Sequence, residues 1–138
     1  MESDRGVHRV LVCDDTASIR HLIRINLELE GHHVEEAASV RQALARLEDP
    51  DRPLPDVLLL DAHMAPLDGW WLISELRSRP ELDDLPVILV SAALHGLDHG
   101  HAQAAGFDAV LAKPFDPDDL LDLVSSVAAS GRGVREGQ

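Results

Sequence analysis

The chain has 138 residues, 45% of them hydrophobic and 27% charged, which fits one globular domain and excludes the apolar-poor composition of a disordered segment. With 25 acidic against 12 basic side chains the formal charge is -13, a field that repels phosphate backbones, argues against nucleic acid and favours a protein partner. Cys13 is the only cysteine, so no disulfide framework is expected; the polar opening MESDRG and the short apolar runs leave no leader or membrane span to expect, and the cytoplasm is the expected location.

In chain order, Val10 to Cys13 form a short branched apolar run that stops at Asp14 and Asp15, the pattern of a buried strand reaching a polar edge. Ile19, Leu22, Ile23, Leu27 and Leu29 then recur at near-helical spacing from Thr16 until Gly31. A weak strand at His33 to Ala37 is followed by Ser39, an N-cap for a helix carrying Val40, Ala43, Leu44 and Leu47, which Pro50, Pro53 and Pro55 end. Val57 to Leu60 is again a continuous apolar run and again stops at an aspartate, Asp61; Pro66 and Gly69 punctuate the loop after it. Asp68 and Gly69 are expected to close that loop and open the next helix. Trp70, Trp71, Ile73 and Leu76 mark this third helix, ended by Pro80, and Pro86 to Val90 is a fourth strand ending at Ser91.

The next stretch, through Gly106, holds helical apolar positions together with Gly96 and Gly100, each costing about 1 kcal/mol relative to Ala, so a weak or broken helix is expected. Ala109 to Ala112 is a fifth strand before Lys113. Asp116 to Ala129 is a final helix with an acidic first turn that suits the helix dipole. Residues 1–130 are expected to form the domain and 131–138 a flexible C-terminal tail.

Short apolar strands alternating with helical patterns predict an α/β fold, a five-stranded parallel sheet with helices on both faces. Ligand sites in such sheets lie beyond the carboxyl ends of the strands. Those ends carry Asp14 and Asp15, Asp61, Ser91 and Lys113. Taken singly, an Asp pair is often a helix cap, and a lone Ser or Lys is more often solvated or structural. Their placement at the ends of four separate strands favours function. Clustered carboxylates repel one another unless a cation sits among them, and an oxygen-only set suits Mg²⁺ with a phosphate. Phosphoryl transfer needs a nucleophile, a metal and donors for the equatorial oxygens; Asp61, Asp15 helped by Asp14, and Ser91 with Lys113 match those roles.

The segments VLVCDD, LLLDAHMAPLDGW, ILVSA and VLAKPF closely resemble, in order, the four signature segments of response-regulator receiver domains from two-component systems, over about residues 8 to 128. The spacings from Asp61 to Ser91 and to Lys113 match as well. The resemblance implies a doubly wound, flavodoxin-like (βα)5 sheet with strand order 2-1-3-4-5. It implies that Asp61 is the phosphoacceptor, that Asp15, Asp61 and the backbone carbonyl of His63 ligate Mg²⁺ with Asp14 supporting through water, and that Ser91 and Lys113 bind the phosphoryl group. It also implies a bacterial signalling switch that catalyses only its own phosphorylation and dephosphorylation. The implied donor is a sensor histidine kinase or a histidine phosphotransfer protein. A downstream target protein would read the fourth helix, fifth strand and fifth helix, and the chain would be a monomer or weak dimer. No output segment follows the fifth helix in this sequence, so the effect is expected to pass through protein contacts.

Three positions depart from the family pattern. Met64 is followed by Ala65, with Pro66 one place later; Val110 stands where the family carries a Tyr or Phe that reports phosphorylation; and the fourth helix is rich in glycine, so its order and disorder would carry the signal. His63 and Ala93, each two places after a site residue, predict slow self-dephosphorylation. His95, His99 and His101 lie close enough in sequence to bind a transition metal, though solvated histidines are the commoner case. His32 and His33 flank a turn and need no role. Cys13 is expected to pack in the core, and Trp70 and Trp71 to divide between packing inward and shielding the loop. Two rival functions are a metal-dependent phosphohydrolase resembling the haloacid-dehalogenase group, whose motif order differs, and a pseudo-receiver that acts only by binding.

Overall fold

The computed structural model describes residues 6–92 and 99–136. Strands and helices alternate throughout: β1 Arg9–Cys13, α1 Ala17–Leu29, β2 His33–Ala37, α2 Val40–Glu48, β3 Val57–Asp61, α3 Gly69–Arg77, β4 Val87–Ser91, α4 His99–Ala105, β5 Ala109–Ala112 and α5 Pro117–Glu136. Every strand pairing is parallel and the order is β2-β1-β3-β4-β5, the doubly wound arrangement expected.

The period-two geometry of a strand divides each apolar run between two cores. Leu11, Cys13, Leu58, Leu60, Val87 and Leu89 face one side, where Val40, Ala43 and Leu47 of α2 and Leu72, Ile73 and Leu76 of α3 cover them. Val10, Val12, Val57, Leu59, Ile88 and Val90 face the other, under Ile23 and Leu27 of α1 and Leu120, Val124 and Val127 of α5. Covered on both faces, β3 and β4 are buried along their whole length, which is why their sequences do not alternate. No helix of the described residues is long and apolar enough to cross a membrane.

Local chemistry sets the helix starts. Ser39 Oγ accepts the Gln42 N–H at 3.1 Å while the Gln42 side chain accepts the Ala38 N–H at 2.7 Å, and Asp68 Oδ1 accepts the Trp71 N–H at 2.9 Å. Three elements run further than the sequence pattern. β3 and β4 each run one residue further, so Asp61 and Ser91 belong to the sheet; the ladder continues there because Ala62 N–H reaches Val90 O at 3.0 Å and Lys113 N–H reaches Ser91 O at 2.9 Å. The last helix continues past Ala129 to Glu136, into the segment expected as a tail. Gly131 and Gly133 weaken a helix without removing a backbone donor, and no proline stops it. The short α4 contains Gly100, while Ala93, His95 and Gly96 lie outside the described residues.

The end of the sheet away from Asp61 is tied by one guanidinium. Arg77 donates from Nε and Nη2 to Gly106 O at 3.0 and 2.9 Å, from Nη1 to Asp83 O at 2.9 Å, and from Nη2 to Asp108 Oδ2 at 3.2 Å; Asp108 in turn accepts the Val87 N–H at 2.8 Å. This joins α3 to the turn between α4 and β5. Gly106 sits there at φ +117°, and a Cβ on it would lie 2.8 Å from Arg77 Cγ. Gly106→Ala is therefore expected to lower stability by about 2 kcal/mol, from the left-handed backbone and the displaced arginine. Urea unfolding checks this: the midpoint should fall with little change in slope. A midpoint equal to wild type would contradict it.

Candidate functional site

The carboxyl ends of β1, β3, β4 and β5 bring all five expected side chains to one rim. Asp14 is 2% exposed, Asp61 5% and Ser91 0%, whereas Asp15 is open to solvent. One carboxylate oxygen from each of Asp14, Asp15 and Asp61 lies within 4.8 Å of the others, the only such acidic or metal-ligating group among the described residues. Lys113 Nζ stands 3.1 Å from Asp14 Oδ2 and 3.6 Å from Asp61 Oδ1. Asp14 Oδ1 also accepts the Thr16 N–H at 2.8 Å, so the lysine-paired Asp14 is held from two sides while Asp15 faces outward.

Electrostatics at Asp61 run against ionisation. Burial comes first in raising its pKa above the ordinary value of 3.8, followed by the charge of Asp14, with Asp15 adding to it; the His63 N–H at 3.3 Å and Lys113 offset only part. One ammonium among three carboxylates leaves the rim electron-rich, and its oxygen-only donors fit a hard divalent cation. Ser91 Oγ, at the end of β4 next to the strand that carries Asp61, is buried and has no hydrogen-bond partner among the described residues.

Two residues outside the expected set shape this rim. Arg20 donates from Nη1 to the Asp14 carbonyl at 2.7 Å and from Nε to Glu36 Oε1 at 2.9 Å, fixing the backbone between the two aspartates to the end of β2. Its spacing on α1 marks only a polar helix position, and its partner lies in a different element, so no local signal reveals it. Gly69, expected as a helix start, does more. Its N–H meets Ala62 O at 3.2 Å, and a Cβ there would lie 2.5 Å from the Asp61 carbonyl oxygen. The start of α3 thus sits directly on the backbone of Asp61, an approach that only glycine permits.

The remaining residues sort differently. His63 is exposed and meets Asp61 through its N–H. The Ala65–Pro66 and Lys113–Pro114 peptides are cis. Cys13 donates to Ser39 O at 3.4 Å, and burial with the charges of Asp14 and Asp61 pushes its thiol up to about 12, so it packs rather than reacts. His101 lies against the Trp70 ring, which also meets Phe107 edge-on at 5.2 Å; Trp71 is the exposed member of the pair. The expected trio of histidines includes His95, outside the described residues. His32 has a place the sequence did not suggest: it is buried, stacks on His8 and accepts the His8 N–H at 3.1 Å.

A sequence profile of the response regulator receiver domain matches residues 10–125. The chain belongs to this family. A 14.6 kDa protein from the sodA1 3' region of Leptolyngbya boryana is 39% identical over 115 residues, covering 83% of this chain and 86% of that protein. The phosphate regulon transcriptional regulatory protein PhoB of Rhizobium meliloti is 32% identical over 119 residues, covering 86% of this chain and 51% of the regulator. The receiver thus spans about half the length of regulators such as PhoB. Among solved structures, the chemotaxis protein CheY4 of Vibrio cholerae superposes with a TM-score of 0.78 at 28% identity, over 88% of this chain and 99% of that one. Receiver domains are signalling switches rather than ordinary enzymes, and they generally bind Mg²⁺ at an acidic pocket; this chain has the aspartate cluster.

The raised pKa of Asp61 has a sign that can be tested without phosphate or metal. A carboxyl whose folded pKa is raised destabilises the fold once it ionises: the penalty is absent below the unfolded value near 3.8 and complete above the folded value. In chelator-treated buffer, Asp61→Asn should be more stable than wild type at neutral pH, and the difference should shrink toward zero as pH falls toward about 4. Thermal unfolding across that range measures it; a difference that grows on acidification would contradict the assignment.

Proposed function

We propose that this receiver is a phosphorylation-controlled switch in which Asp61 accepts a phosphoryl group from a histidine kinase or histidine phosphotransfer protein. The observation that supports it most is the buried Asp61 carboxylate set 3.6 Å from Lys113 Nζ inside the aspartate cluster. A carboxylate oxygen of Asp61 attacks phosphorus, the O–P bond forms as the donor's N–P bond breaks, and the electron pair returns to the imidazole nitrogen. Lys113 follows the charge from carboxylate to phosphoryl oxygen, and the Ser91 hydroxyl gains a partner for its buried oxygen. Asp14, Asp15 and Asp61, with the His63 carbonyl, would hold Mg²⁺. When bound, that ion supplies the positive charge that one lysine cannot supply against three carboxylates.

The new dianion beside a lysine and a hydroxyl changes the balance of forces at the ends of β4 and β5. Altered contacts with a downstream protein then carry the signal. Operation in the cytoplasm, as a monomer or weak dimer, completes the reading.

Intact mass spectrometry of wild type and Asp61→Asn after incubation with a small phosphodonor and Mg²⁺ tests it. Wild type should gain one phosphoryl group that survives acid and is lost in base, and the variant should gain none. Equal addition to both, or catalytic turnover of a phosphomonoester, would overturn the reading.

A further inference from the structure

The two aspartates that follow β1 are held in opposite ways. Asp14 has every polar group engaged: its N–H donates to Ala37 O at 3.1 Å, its carbonyl accepts Arg20 Nη1 at 2.7 Å, Oδ1 accepts the Thr16 N–H at 2.8 Å and Oδ2 accepts Lys113 Nζ at 3.1 Å. Asp15 is exposed, and its carboxylate accepts the Thr16 hydroxyl at 3.4 Å, a long contact. Even so, one Asp15 oxygen lies within 4.8 Å of oxygens from Asp14 and Asp61. The peptide between the two residues sets that placement. The Asp14 carbonyl and the Asp15 N–H share one rigid plane, so a bond at that carbonyl fixes the direction in which Asp15 leaves the strand.

Arg20 is built to hold this plane. Its side chain is 15% exposed, and Nε donates to Glu36 Oε1 at 2.9 Å while Nη1 takes the carbonyl. The other Glu36 oxygen accepts Arg24 Nη1 at 3.1 Å, so the anchor for Arg20 is itself anchored. The Glu36 carboxylate offsets the guanidinium charge, and what remains at Asp14 is a directional hydrogen bond from a planar fork.

We propose that Arg20 is a positioning residue for the cation: it holds the Asp14–Asp15 peptide so that the exposed Asp15 carboxylate stays turned toward Asp61, and it thereby sets Mg²⁺ affinity without touching the ion. The inference rests on the proposed binding of Mg²⁺ at the aspartate cluster. Charge and position predict opposite signs here. A guanidinium acting by charge repels a divalent cation, so its removal tightens binding. A guanidinium that orients a ligand supports the site, and its removal weakens binding by about tenfold.

Amide shifts of the whole chain, followed through a Mg²⁺ titration at constant ionic strength, give the dissociation constant. Wild type should show shifts centred on Asp14, Asp15 and Asp61. Arg20→Met, and Arg20→Lys, which keeps the charge but loses the two-sided fork, should each bind about tenfold more weakly. Arg24→Met removes the same charge from the same ion-pair network without reaching Asp14, and it should stay within about twofold of wild type. The effect should also disappear once Asp15 is no longer a carboxylate. Arg20→Met added to Asp15→Asn should change affinity by less than about twofold, a non-additivity that a general loss of stability does not produce. Urea midpoints of the same variants separate folding from binding, and Arg20→Lys supplies the readout should Arg20→Met fold poorly. Tighter or unchanged binding by a folded Arg20 variant, an equal loss in Arg24→Met, or full additivity with Asp15→Asn would overturn the proposal. Wild type with no shifts at the cluster would overturn the Mg²⁺ reading as well, so the two failures are told apart.

Discussion

Three carboxylates have oxygens within 4.8 Å of one another, the Lys113 ammonium reaches two of them, and much of the chain serves to hold that imbalance in place. Left in solution, Asp14, Asp15 and Asp61 would separate. Here Lys113 and the Thr16 N–H hold the Asp14 carboxylate, Arg20 holds the Asp14 carbonyl, and Asp61 is fixed inside a fully buried strand. The surplus negative charge is what a bound cation would offset, and it adds to burial, the larger cause, in raising the pKa of Asp61.

The doubly wound sheet is what makes such a site affordable in a chain this short. Apolar residues alternate between two cores along β1, β3 and β4, so the strands are anchored from both faces and their ends can present polar groups. Close packing then transmits position. Gly69 brings α3 onto the carbonyl of Asp61, and Trp70, the next residue, packs edge-on against Phe107. The first turn of α3 therefore links the backbone at Asp61 to the segment just before β5. At the other end, Arg77 ties α3 to Gly106 and Asp108, so this helix is fixed at both ends.

The fold was legible in the sequence because buried parallel strands announce themselves as continuous apolar runs, and the site because a polar residue ends each run. Residues whose role depends on tertiary approach were not legible. Arg20 reads as a helix-surface arginine until the end of β2 places Glu36 beside it, and Gly69 reads as punctuation until α3 meets Asp61. His32 seemed a turn residue and is buried against His8. α5 runs past Ala129 to Glu136, because Gly131 and Gly133 weaken a helix without removing a backbone donor. Val110 was legible as a departure from the family pattern, and it lies half-buried within β5.

Lys113 follows the last residue of β5 and reaches back to Asp14 and Asp61, so the proposed phosphoryl site is tied to the edge strand of the sheet. The central claim is that Asp61, Lys113, Ser91 and the aspartate pair form one phosphoryl site. A crystal structure of the chain with Mg²⁺ and beryllium trifluoride, a stable phosphoryl mimic, tests it most directly. The account expects beryllium bonded to a carboxylate oxygen of Asp61, fluorines within hydrogen-bond reach of Lys113 Nζ and Ser91 Oγ, and the metal between Asp15 and Asp61. An adduct on another carboxylate, or a bound metal with Asp61 left unmodified at saturating fluoride, would contradict it.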